Sequence, residues 1–409
     1  LPKLPGAAGK QHWGNLPGAA LSLAVAEAAS AAKHFTLLLT ADSQSAERLQ
    51  EELAFFAPDL PVLHFPDWET LPYDVFSPHQ DIISQRIATL YRLPEIKHGV
   101  LVVPIATALH RLAPTRFLLG SGLLLDVGQK LDVEEMRARL EAAGYRCVDT
   151  VYEHGEFAVR GALIDLFPMG SETPYRIDLF DDEIDTLRTF DVDTQRTLTP
   201  VTEVRLLPAR EFPTDETGIT AFRQHFRERI EGDPSRARLY KEVSQGILPA
   251  GIEYYLPLFF DQTATVFDYL GAQATLVLHG DLQVPLQRFW HDTQERWRMV
   301  QGDPDHPALA PQALFLTAEQ FYTLAKPYAQ LALRPGADGT AAVAGSPAHP
   351  QALDGIAPLP PLTAERSHAE PLQRLQDHLR SSGRRTLILA ESAGRSESLQ
   401  DFLRASGIT

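Results

Sequence analysis

Short, unbroken apolar runs alternate with helix-length amphipathic stretches through the first 120 or so residues. That rhythm restricts the chain to an α/β fold, with parallel strands covered by helices. An Ala-rich helix is predicted near residues 18 to 33, with Leu21, Val25 and Ala28 at helical spacing. Phe35 to Thr40 has the length of a strand, and Asp42 and Ser43 are placed to cap a helix whose face carries Ala46, Leu49, Leu53 and Phe56. Pro58 stops that helix. Val62 to Phe65 reads as the next strand and Asp81 to Leu90 as the next helix, through Ile82, Ile83, Ile87 and Leu90. Val100 to Val103 reads as a fully buried strand.

Between about 121 and 206 the rhythm changes. A helix over Asp132 to Ala143 ends at Gly144, a predicted left-handed cap. Strand-like runs follow at Phe157 to Phe167, Tyr175 to Phe180 and Ile184 to Val192, with Pro168-Met169-Gly170-Ser171 turning between the first two. Closely spaced strands with short turns predict an antiparallel sheet backed by a helix, an α+β insert. From about 207 the alternation returns, with Gly251-Ile252-Glu253-Tyr254-Tyr255 and a strand at Thr275 to Leu278. Arg334 to Pro361 is rich in Pro, Ala and Gly and reads as a linker. Helix Leu372 to Leu379, strand Thr386 to Ala390 and helix Ser396 to Ala405 then predict a small α/β piece.

With 53 acidic against 37 basic residues the formal net charge is −16, which opposes nucleic-acid binding unless basic residues gather on one face. A protein partner is the better first expectation. One cysteine, Cys147, rules out an intramolecular disulfide framework, fits a reducing cytoplasm and reads as buried filler. No apolar run is long enough to cross a bilayer, and no N-terminal segment has the regions of a signal peptide, so a cytoplasmic location is expected. The chain begins without Met and ends at Ile408-Thr409, where a strand is expected, and so reads as a piece of something longer.

Leu16-Pro17-Gly18-Ala19-Ala20-Leu21-Ser22 stands where a nucleotide-hydrolysing domain would carry its phosphate loop. It has no lysine to reach a phosphate and no hydroxyl placed for magnesium, so a plain turn into a buried helix is expected at Gly18, with no cofactor. Asp67, Trp68, Glu69, Tyr73 and His79 fit no zinc-ligand spacing and read as packing residues. In Tyr175 to Phe180, alternation puts Ile177 and Leu179 on one face and Arg176, Asp178 and Phe180 on the other. Arg160 joins the second face if the neighbouring strand's register allows. Such a set is either an interface hot spot or, equally well on pattern alone, a locally paired arginine beside a core phenylalanine. The acidic run Asp178, Asp181, Asp182, Glu183 and Asp185 reads as a solvated sheet edge, and the arginines of 223–229 and 296–298 as solvated helix faces.

Specific strings then resemble the N-terminal part of the bacterial transcription-repair coupling factors. They are Phe65 to Asp74, Phe76 to Asp81, His154-Gly155-Glu156, Arg160-Gly161-Ala162, Asp165 to Ser171, Phe180 to Asp185 and Leu248 to Tyr254. Parts of the pattern also resemble the excision-repair protein UvrB. The resemblance implies a degenerate helicase-like core split by the insert: residues 1–121 as domain 1a, 122–206 as domain 2, 207–330 as domain 1b, and 331–409 as linker and third domain. His279-Gly280-Asp281 falls where UvrB-like proteins carry an Asp-Glu pair, and no glutamate follows Asp281. Too few residues separate Tyr73 from Asp81 for the aromatic hairpin with which such proteins probe DNA. The resemblance further implies that Arg160, Arg176 and Phe180 bind UvrA, and that a C-terminal domain of the full-length protein masks them. It implies RNA polymerase and DNA contacts through regions absent from this chain. Its alternatives are a residual ATPase or helicase fragment and a DNA damage sensor.

Overall fold

The computed structural model describes residues 3–6, 9–14, 16–271, 273–334, 351–352, 359–364, 370–383, 385–388 and 390–408. They fall into two units, Leu1–Leu353 and Asp354–Thr409. The first unit opens with β1 (Lys10–Gly14), α1 (Ala20–Ala31), β2 (Phe35–Thr40), α2 (Ser43–Phe56), β3 (Val62–His64), α3 (Gln80–Arg92) and β4 (Gly99–Pro104). Then come β5 (Leu123–Asp126), a helix over Val133–Ala142, β6 (Arg146–Cys147), β7 (Glu156–Arg160) and β8 (Leu163–Leu166). β9 (Tyr175–Phe180), β10 (Glu183–Phe190), β11 (Thr197–Val201) and β12 (Glu203–Leu206) complete that stretch. Helices over Glu216–Arg229 and Arg238–Ser244 lead back to β13 (Thr275–His279), a long helix over Gln283–Val300, β14 (Ala329–Leu333) and β15 (Gln351–Ala352).

The main sheet has the order β15-β1-β14-β13-β2-β4-β3, and every neighbouring pair is parallel. All residues of β2 and β4 are buried, which is why those runs are unbroken apolar stretches rather than alternating ones. β13 lies beside β2 and β14 beside β1, so strands from both ends of the unit interleave. Asp42 caps α2, accepting the Ser45 N–H at 2.7 Å, and Ala46, Leu49 and Leu53 form its buried stripe as expected.

The intervening strands build a six-stranded sheet, β11-β10-β9-β8-β7-β6, antiparallel except for β6 beside β7. β5 and β12 pair antiparallel in a ribbon of their own. Phe157 to Phe167, expected as one strand, is a hairpin that turns at Gly161-Ala162, with Arg160 opposite Leu163 and Gly161 at φ +64°. A single glycine is the only mark of that turn in the sequence, too little to break an apolar run. One face of this sheet, with Phe157, Ile164, Leu166, Ile177 and Leu187, joins the core under the main sheet. On the other, Val151, Ala158, Phe167 and Phe190 form a small separate cluster.

Buried ions fasten the returning chain. The Arg86 guanidinium, fully buried, donates to Glu211 at 2.6 and 3.4 Å and to the Pro66 carbonyl at 2.8 Å, and stacks 4.2 Å over Phe65. The neighbouring Arg210 donates to buried Glu253 at 3.1 Å, whose other oxygen accepts the Ser77 hydroxyl at 2.7 Å. Burial pushes the Glu253 carboxyl above its ordinary range, opposed by Arg210. Gly170 at φ +82° passes so close to α3 that a Cβ would lie 2.9 Å from Leu207 and 3.2 Å from Ala88. Only glycine fits there.

Several expectations are corrected. Cys147 is exposed, because it sits on β6, the outermost strand of its sheet. Of the acidic run, Asp181 (φ +54°) and Asp182, which accepts Lys130 at 2.9 Å, form the β9–β10 turn, while Asp178, Glu183 and Asp185 lie on these two interior strands rather than at a sheet edge. Arg229 and Arg296 are tied to the carbonyls of Pro257 (2.9 Å) and Pro72 (2.6 Å) rather than simply solvated. Of the expected linker, 335–350 and 353–358 lie outside the described residues, whereas Gln351-Ala352 pairs with β1. In the second unit the described residues form two helices, Gln373–Ser382 and Ala393–Ala405, the latter capped by Ser392. The strand expected at 386–390 is absent from the described residues there, where that run meets no ladder partner.

Glu211→Gln leaves Arg86 buried beside a neutral amide, and we expect a loss of about 3–5 kcal/mol in urea unfolding. His110, buried with its ring 4.7 Å from Trp68, has its pKa lowered to about 3, by burial first and the Arg86 charge second. The unfolded chain therefore takes up a proton near pH 6.5 that the folded chain refuses until about 3, so stability falls as pH drops through that window. His110→Phe should flatten the pH profile of unfolding there by about 1.4 kcal/mol per pH unit.

Candidate partner-binding face

The register of the inserted sheet brings the three predicted residues onto one face. Arg160 faces Leu163, Leu163 faces Asp178, and Asp165 faces Arg176, so Arg160, Asp165, Arg176 and Asp178 all project outward, away from Ile164 and Ile177. Phe180 lies two residues beyond Asp178 on the same face, at the end of β9, where the Asp181-Asp182 turn prevents further cover. It is 74% exposed. Of the two readings left open for it, a core phenylalanine is excluded.

The arginines are held by a residue the sequence reading did not single out. Asp165 is fully buried, and its carboxylate accepts Arg176 Nε at 2.7 Å and Nη2 at 3.0 Å, together with a bond from Arg160. Arg176 also donates to Thr197 Oγ1 (3.0 Å) and the Gln195 carbonyl (3.3 Å), and lies 5.0 Å above the Phe190 ring. Its hydrogen bond to Asp165 raises its pKa further. Arg176 is thus largely covered, whereas the Arg160 side chain is 46% exposed. A forked carboxylate gripping two guanidiniums fixes both before any partner arrives, which lowers the entropy lost on binding. The available signal for Asp165 was an acid at the outward parity of an otherwise apolar strand.

Gly18 and Asp281 both lie just past the carboxyl ends of main-sheet strands, β1 and β13. Gly18 takes φ +55° before α1, whose cap position Ala19 has no side-chain bond. Ser22, the hydroxyl closest in sequence, is buried and donates to Glu52 of α2. Asp281 follows β13 and accepts the Gln283 N–H at 2.9 Å. Among the described residues the Gly18 loop carries no cation and Ser22 is already bonded, while Arg48, whose charge reaches His279 at the end of β13, is paired with Glu52 at 3.5 Å, a set that does not fit a nucleotide. No group of three His, Cys, Asp or Glu suited to a metal occurs among the described residues. Asp67 bonds the Glu69 N–H and Thr107, Trp68 is buried, and Tyr73 stacks on Tyr254 and donates to the Leu309 carbonyl at 2.8 Å. The packing role expected of that loop holds for Asp67, Trp68 and Tyr73, whereas Glu69 and His79 are exposed, as are Leu71, Val75 and Phe76. No helix among the described residues is long and apolar enough to cross a membrane.

A family model described as the UvrB interaction domain matches residues 123–212, which cover the inserted sheet. The chain is thereby a protein with a UvrB-type interaction domain set into an α/β core. It is 44% identical over 402 residues to the transcription-repair-coupling factor of Escherichia coli, covering 98% of this chain and 34% of that protein. The Haemophilus influenzae factor is 44% identical over 391 residues (95% and 33%), and the Bacillus subtilis factor 26% over 287 (66% and 24%). Across nearly all of its length the chain belongs to the transcription-repair-coupling factor family, matching its N-terminal region. It spans about a third of the length of those curated relatives.

Phe180→Ala removes a largely exposed side chain, and should leave thermal unfolding within about 0.5 kcal/mol of the parent. Asp165→Ala strands two arginines over a buried gap and should lower stability by about 2–4 kcal/mol in the same measurement.

Proposed function

We propose that this chain is a non-catalytic recruitment module that docks the excision-repair protein UvrA through the outward face of its inserted sheet. In this reading the four-part division at 121, 206 and 330 holds, with the insert as the working surface. The observation that carries it is Phe180, a large apolar side chain standing exposed beside two arginines clamped on Asp165. Exposed aromatic and arginine side chains on a rigid support are what an interface hot spot requires. The full-length protein would use its remaining regions to engage stalled RNA polymerase and to translocate on DNA by ATP hydrolysis, with its C-terminal domain covering this face at rest. The missing cation at Gly18 and the lone Asp281 support the absence of catalysis here, against a residual ATPase or a UvrB-like damage sensor.

Titration of the chain with purified UvrA, read by calorimetry, tests this reading. Phe180→Ala should weaken binding by about 2 kcal/mol, near thirtyfold, with no change in thermal unfolding. Arg160→Ala should weaken it less. Parent-like affinity in the Phe180 variant removes the assignment.

A further inference from the structure

Away from the inserted sheet, an open groove of about 390 Å³ is lined by Arg111, Arg229, Asp261, Gln262, Thr263 and Gln312. Neither of its two arginines, Arg111 half-buried and Arg229 exposed, has a carboxylate in ion-pair contact among the described residues. Arg111 is half-buried and gives one bond, to Gln320 Oε1 at 3.3 Å. Asp268, the acid whose charge acts on it, gives one carboxylate oxygen, Oδ2, to Thr265, at 2.7 Å from the backbone N–H and 2.8 Å from the hydroxyl. Arg229 donates only to the carbonyls of Pro257 (2.9 Å) and Asp261 (3.4 Å). The one acid in the groove, Asp261, turns its carboxylate to His225 Nε2 at 3.3 Å.

The backbone around these arginines is rigid. Arg111 stands between two isolated bridges, His110 with Phe315 and Leu112 with Ala264, and its own N–H bonds the Leu314 carbonyl at 2.8 Å. Arg229 closes the helix Glu216–Arg229. Burial pulls the Arg111 guanidinium below its ordinary pKa, opposed by the charge of Asp268. The side chains of Gln262, Thr263 and Gln312 make no hydrogen bond among the described residues.

We propose that this groove is an oxyanion site for a phosphoryl group, held by Arg111 and Arg229 with Gln262, Thr263 and Gln312 around it. Two guanidinium forks, two amides and a hydroxyl offer donors from several directions. A tetrahedral phosphoryl group can take up such a set, whereas a planar carboxylate presents only two oxygens. The phosphoryl group comes either from a free phosphorylated small molecule or from a single nucleic-acid strand. A chain of charge −16 makes either contact local rather than part of a broad basic surface.

Thermal unfolding of the 409-residue chain in sodium phosphate, against chloride and acetate at matched ionic strength, tests the site. Phosphate should raise the midpoint above both other salts, and Arg111→Gln and Arg229→Gln should each abolish that increment while Phe180→Ala keeps it. If a glutamine variant fails to fold, Arg111→Lys or Arg229→Lys replaces it; the charge stays, the fork goes, and a reduced increment is still required. No phosphate increment, an undiminished one in the variants, or an equal one in acetate overturns the proposal, the last in favour of a carboxylate ligand. A labelled short oligothymidylate, read by anisotropy, separates the sources. Binding that falls about tenfold in each arginine variant identifies a nucleic-acid strand. A phosphate increment without oligonucleotide binding identifies a free phosphorylated small molecule.

Discussion

The first unit depends on a pair of adjacent residues, Arg210 and Glu211, where the chain returns from the inserted sheet to the main one. Glu211 receives Arg86 from α3, and Arg210 reaches Glu253 on the far side of the 65–79 loop. Both carboxylates are almost completely buried. A charge withdrawn from water is tolerated only with its partner in place, so these two contacts specify one docking of the returning segment and exclude slipped alternatives. Arg86 also stacks on Phe65 and bonds the Pro66 carbonyl, which places the start of the 65–79 loop in the same arrangement.

That arrangement gives the inserted sheet two different faces. Its inward side shares a continuous apolar core with the main sheet, through Phe157, Ile177 and Leu187. Its outward side carries only a small apolar cluster, and above it the carboxylate of Asp165 gathers two guanidiniums. Phe180 is left largely exposed at the rim. The rigidity of the outward residues comes from the packing of the inward ones, since each strand's alternation ties the two faces together.

Much of this was readable from the residues. The runs Phe35 to Thr40 and Val100 to Val103 are strands because both faces are covered, and Asp42 and Gly144 mark helix ends by local chemistry that needs no tertiary information. Alternation alone separated Ile177 and Leu179 from Arg176 and Phe180. What escaped depended on partners distant in sequence. Asp165 becomes a hub only when hairpin pairing sets it opposite Arg176, and Arg86 with Glu211 reads as two ordinary surface charges until 125 positions of chain are folded between them. Cys147 looked like core filler because nothing local shows that β6 is outermost. Residues 386–388 show the converse, an apolar run that finds no ladder partner among the described residues.

The ribbon made by β5 and β12 has a consequence for how such a chain is assembled. Leu123 lies opposite Leu206 and Asp126 opposite Glu203, so the points of departure and return are hydrogen-bonded neighbours. To the seven-stranded sheet, the whole intervening excursion is topologically equivalent to a tight hairpin. Two adjacent strands thus carry the chain out and back, and what fastens the excursion to its host beyond them is the shared apolar core and the ion pairs at the seam.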